Sequence, residues 1–167
     1  LTQGLSRLGA PNENDDITEC SVMHGLSMAV EVLCECSEKQ HELRTSMMED
    51  ASLIKNRGRI ICITSVRSDS HIKMLEEYVQ DSIVQNNKLA AGSDSLMPIT
   101  HCEFYLVHTM PLGVESTVTE DKHNVSSVLT TYVNSTKSGR HLANKLLQLA
   151  QTHYELTMTT ITGIPMK

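Results

Sequence analysis

The densest set of reactive side chains in this sequence is Thr64-Ser65-Val66-Arg67-Ser68-Asp69-Ser70-His71. It offers hydroxyls, one carboxylate and an imidazole. It follows the apolar run Ile60-Ile61-Cys62-Ile63, and open α/β sheets place ligands just beyond the carboxyl ends of such buried strands. A Ser-His-Asp hydrolase would carry its nucleophile on a tight turn such as G-x-S-x-G, and none is present. Ser68-Asp69-Ser70 also suits an ordinary helix start, where side-chain oxygens accept the free N–H groups. Capping is the first reading of this loop and ligand contact the second.

Cys34-Glu35-Cys36 is the one close thiol pair. On a helix, residues two apart point in different directions, so both could not clamp one metal. Zinc sites also want a second pair at suitable spacing, which is missing. The eight histidines are scattered and no H-x-x-x-H occurs. His101-Cys102 opens a second strand, and adjacent strand residues face opposite ways. There is no P-loop, no G-x-G-x-x-G and no H-E-x-x-H. Lys55, Arg57 and Arg59 form a short basic cluster without interleaved aromatics, which reads as a solvated loop edge rather than a nucleic-acid groove.

These residues need elements to position them. Residues 10–19 read as a polar loop. Val22, Leu26, Ala29, Val30 and Leu33 predict a helix over 20–35, and 38–55 predicts a more exposed one. Ile60–Ile63 is a continuous apolar run, which suits a strand buried on both faces. Ile72, Leu75, Val79 and Ile83 are the stripe of the next helix. Phe104–Val107 is a second apolar strand, and 115–124 reads as polar and mobile. Val128–Val133 alternates as a strand with one wet face. Ser138 caps a helix with Leu142, Leu146, Leu149 and Ala150 inside, and Leu156–Thr162 suits a final strand. The alternation implies an α/β domain around a mostly parallel sheet flanked by helices.

Composition narrows the function. The 167 residues carry 14 Lys and Arg against 20 Asp and Glu, a net charge of −6, and only 3 % aromatics. That argues against a dominant nucleic-acid surface. No apolar run approaches the roughly 18 residues of a membrane span. Five cysteines at irregular spacing fit reduced, intracellular thiols. The sequons at Asn124 and Asn134 carry no weight in a cytosolic or nuclear protein.

Longer stretches carry a resemblance. Asn56–Thr64 reads NRGRIICIT, and Ser68–His71 reads SDSH, followed by Met74-Leu75-Glu76. Asn87–Ala91 reads NKLAA, Gly139–Ala143 reads GRHLA, and Thr159–Lys167 reads TTITGIPMK. In this order, with Met23-His24-Gly25-Leu26, they resemble the asunder family, also called cell cycle regulator Mat89Bb, the thirteenth subunit of Integrator. The likeness runs from about residue 5 to the end. Members are much longer, so residues 1–167 read as part of a von Willebrand factor A-like, Rossmann-type domain, incomplete at the N-terminus.

The resemblance implies a non-catalytic scaffold subunit without a cofactor, partnered by Integrator subunits fourteen and ten. It implies roles in small nuclear RNA processing, attenuation of RNA polymerase II transcription, and mitotic and meiotic progression through dynein at the nuclear envelope. The expected location is nucleus and cytoplasm, perinuclear. Many A domains bind Mg²⁺ through D-x-S-x-S, a Thr and an Asp. Thr18 and Asp69 are the nearest counterparts here, Asp69 falling several residues late, so no metal site is expected. Two alternatives remain at this point: an adhesion-type A domain binding a partner through Mg²⁺, and a nucleotide-binding or hydrolytic enzyme acting from Thr64–His71.

Overall fold

A computed structural model describes residues 22–46, 54–110 and 117–154. The expected loop at 10–19, residues 47–53 of the second helix, and the expected strand Leu156–Thr162 lie outside them. Helix α1, Val22–Cys34, buries Leu26, Val30 and Cys34, a stripe at one-turn spacing. It stops at Cys34, so the Cys34/Cys36 pair is not helical as expected. Glu35 instead bridges Leu96, and the Cys36 amide donates to the Ser95 carbonyl. Helix α2, Glu38–Ser46, buries nothing. Its Arg44 Nη1 donates to the carbonyls of Asp94 and Leu96, at 3.2 and 3.1 Å.

Strand β1 is Asn56–Thr64, α3 is Asp69–Ala90, and β2 is Ile99–Thr109. Strand β3, Lys122–Asn124, precedes β4, Leu129–Thr136, and α4 is Gly139–Tyr154. The sheet order is β1-β2-β4-β3. The first two pairings are parallel and β3 runs antiparallel on β4. The result is an α/β fold, a mixed four-stranded sheet flanked by helices.

The main core lies between one sheet face and α1 with α3. Leu26, Val30, Leu75, Val79 and Ile83 meet Ile60, Cys62, Phe104, Leu106, Leu129 and Val133 there. On the opposite face, Leu149 and Leu142 of α4 pack against Tyr105, Val107 and Tyr132. Strand β2 sits between two strands and is buried from Phe104 to His108.

Four expectations change. Strand β1 is not buried on both faces: Ile60 is 6 % exposed but Ile63 is 45 %. It is the edge of the sheet among the described residues, and α4 packs over β4 instead. Strand β4 lacks the expected wet face, because Thr130 and Thr131 are both buried between β2 and β3. The stretch 115–124, read as mobile, contains β3, which is too short for alternation to show. Arg57 and Arg59 also lie within β1 rather than on a loop edge.

Candidate functional site

The carboxyl ends of β1 and β2 bring the Thr64–His71 loop against the segment before β3. Ser65 Oγ donates to the Thr109 carbonyl at 2.7 Å. The Val66 amide donates to His108 Nδ1 at 2.9 Å, and Thr136 Oγ1 donates to the His108 carbonyl at 2.9 Å. Thr117 Oγ1 donates to the Arg67 carbonyl at 3.3 Å. The Ser65 hydroxyl and the Arg67 carbonyl thus help hold the loops together, and the Ser65 hydroxyl is directed to a backbone carbonyl rather than an imidazole.

Ser68 is the N-cap of α3, but its side chain makes no capping bond. Its hydroxyl pairs with Ser70 Oγ at 2.8 Å, and its carbonyl accepts from the His71 and Ile72 amides. The capping expectation therefore holds in position and fails in mechanism. Ser138 does cap α4 with its side chain, accepting the His141 amide at 3.2 Å.

His108 is fully buried, and its Nε2 has no hydrogen-bond partner among the described residues. Since Nδ1 accepts from Val66, Nε2 carries the proton of the neutral ring. Burial pushes its pKa down, opposed by the nearby Thr64 carbonyl. Burial also raises the thiols: Cys62 to about 11, and Cys102 to about 12 with Glu103 adding to the effect. Neither is a poised nucleophile.

Of the two metal candidates, Thr18 lies outside the described residues. Asp69 is exposed, and its Oδ1 accepts the Thr119 amide at 3.4 Å. Hard cations want several oxygens converging. Among the described residues, no three His, Cys, Asp or Glu side chains are grouped to hold an ion.

Two side-chain arrays escaped the sequence reading. Buried Glu76 of α3 meets His123 Nδ1 at 3.0 Å, while Asp121 lies 3.3 Å from His123 Nε2, so the ring ties β3 to α3. On the opposite sheet face, Arg59, Tyr105, Tyr132 and Lys122 contribute one residue from each strand to a stacked row. Contacts across 47 residues, such as Glu76 to His123, leave no local signal in sequence.

Comparison with known proteins follows the same chain. The family described as "Cell cycle and development regulator Mat89Bb" matches residues 1–167. "Integrator complex subunit 13" of Homo sapiens is 53 % identical over 168 residues, covering 100 % of this chain and 24 % of that protein. "Protein asunder" of Drosophila melanogaster is 37 % identical over 163 residues, covering 96 % of this chain and 24 % of that protein. The chain spans about a quarter of the length of the curated relatives it matches.

Proposed function

The chain belongs to the Mat89Bb family of cell cycle and development regulators, and on that premise we propose that it is part of a non-catalytic scaffold subunit of Integrator. The observation that carries this reading is 53 % identity along the whole chain to Integrator complex subunit 13. The engaged Thr64–His71 loop is consistent with a scaffold, since the Ser65 hydroxyl and the Arg67 carbonyl serve contacts to neighbouring segments. The protein would bind Integrator subunits fourteen and ten, and would support small nuclear RNA processing and attenuation of RNA polymerase II transcription. Its cell-cycle role would include mitosis, meiosis and dynein recruitment, with a nuclear and perinuclear cytoplasmic location.

We read residues 1–167 as a partial von Willebrand factor A-like domain. The position of β1 at the sheet edge among the described residues supports this, because an apolar parallel strand is normally covered by a neighbour. The deciding experiment purifies the full-length tagged protein from nuclear extract and identifies its companions by mass spectrometry. Subunits ten and fourteen at near-equal stoichiometry are the expected result. Dynein or membrane partners in their place would withdraw the Integrator assignment.

A further inference from the structure

The basic cluster at the start of β1 has no role in the reading above. Arg57 and Arg59, two residues apart, share a sheet face. In register beside them on β2 stand His101 and Glu103. These four residues, with Gly58 and Leu33, line an open cavity of about 460 Å³. Arg59 is already engaged: Nε donates to Glu103 Oε2 at 2.9 Å, and its guanidinium lies over the Tyr105 ring. The His101 ring is steered too, with Nδ1 3.3 Å from the Ser127 carbonyl and Nε2 3.4 Å from Thr130 Oγ1. Arg57 is exposed at the mouth, next to exposed Lys55. With Glu103 offsetting Arg59, the lining keeps one net positive charge on a chain whose net charge is −6.

We propose that this cavity docks an acidic peptide segment of a protein partner, a Glu or Asp carboxylate seating on the Arg57 guanidinium. Arg presents paired donors that match a carboxylate's two oxygens. The Arg59–Glu103 pair fixes the neighbouring guanidinium and leaves Arg57 to meet the ligand. The charge complement is one carboxylate rather than a phosphate backbone. A nucleic-acid track needs a stripe of cations with stacking aromatics, and Tyr105 here is 5 % exposed beneath Arg59. The proposal stands apart from the Integrator assignment, since it concerns one anionic residue on any partner.

The test is fluorescence anisotropy on the full-length protein. The probes are a short labelled Glu-rich peptide, its Gln-for-Glu counterpart, and a labelled single-stranded RNA. The Glu peptide should bind, and the Gln peptide about tenfold more weakly or less. Arg57→Glu should weaken the Glu peptide by about tenfold or more, and Arg57→Lys by much less. Because Arg57 is exposed, thermal melting should be unchanged in both variants. No binding of the Glu peptide, binding indifferent to Arg57→Glu, or an Arg57-dependent preference for the RNA would each overturn the proposal. None of these outcomes touches co-purification with Integrator subunits.

Discussion

The rings of Tyr105 and Tyr132 lie 4.4 Å apart between centroids and 5° from parallel. They are register partners on β2 and β4, so the stack spans the middle of the sheet. Arg59 Cζ lies 5.5 Å from the Tyr105 centroid, and Lys122 Nζ 5.2 Å from that of Tyr132. Cations on both outer strands thus face rings on both inner strands.

This stack should be measurable as a coupling. Tyr105→Leu and Tyr132→Leu each keep an apolar body, and their double-mutant cycle should return about 0.5–1.5 kcal/mol. A cycle energy indistinguishable from zero would mean that the rings only fill space. Burial, then the nearby Glu103 carboxylate and Tyr132, push the Tyr105 phenol up to about 12, against the pull of Arg59. In an absorbance titration Tyr105 should therefore ionise well above the ordinary phenol value of 10.

His108 makes the Val66 amide sensitive to acid. The ring's folded-state pKa lies below the ordinary value of 6.5 because burial disfavours the cation. For a depressed His the sign is clear: stability is full above the unfolded pKa and falls as pH drops below it, because the unfolded chain takes the proton first. The loss cannot exceed about 1.4 kcal/mol per pH unit for one proton. Protonating Nδ1 also removes the acceptor for Val66 N–H. Hydrogen-exchange protection of the Val66 peptide should fall on acidification from about pH 7 to pH 5. In His108→Gln, which cannot titrate, the protection should stay flat.

The four described cysteines should divide by burial. Cys34, Cys62 and Cys102 are buried and free, with their thiols pushed up by desolvation. Cys36 is half-buried and lies beyond the end of α1. Under native conditions at mildly alkaline pH, iodoacetamide should modify Cys36 before the other three, which should react only after denaturation. Peptide mass mapping reads the order directly. Early labelling of Cys62 or Cys102 would show that the core opens more easily than its packing implies.

Much of this fold was legible because its signals are local. The stripe Ile72, Leu75, Val79 and Ile83 marked α3, and all four are buried. The run Phe104–Val107 marked the innermost strand, and it is buried on both faces. The same kind of run misled at Ile60–Ile63, because composition reports what a strand can bury and not what stands beside it. The side-chain partnerships of the loops were illegible for a related reason. Asp69 was readable as a helix-start residue, but its link to Thr119 joins residues 50 apart. His108 looked like one of eight scattered histidines, and only the sheet's register places it beneath Val66.

Gly58 is where sequence would suggest an easy gain in stability. Replacing Gly by Ala within a strand ordinarily helps by about 0.5–1 kcal/mol, by restricting the unfolded chain. Here a Cβ at position 58 would meet Leu33 Cδ1 and Cδ2 at 2.7 Å. The sign should reverse, with Gly58→Ala costing about 1–3 kcal/mol through overpacking. Leu33→Ala should relieve the clash, so the double variant should be more stable than the two single losses add up to. Additive losses in denaturant unfolding would place the cause in the backbone instead.

Asp69 tests whether a Mg²⁺-dependent mode of binding survives in this chain. A metal site of the A-domain kind needs several oxygens converging on one point. Asp69 instead turns Oδ1 to the Thr119 amide and holds the segment before β3 against α3. Calorimetric titration of Mg²⁺ into the full-length protein should show no micromolar binding that depends on this carboxylate. Asp69→Ala should loosen the neighbouring loop, seen as faster hydrogen exchange around Thr119, without changing the Mg²⁺ isotherm. Asp69→Asn keeps an acceptor oxygen for that amide and should restore the protection. Micromolar Mg²⁺ binding abolished by both substitutions would overturn this reading, because a loop clamp would tolerate Asn where a cation site would not.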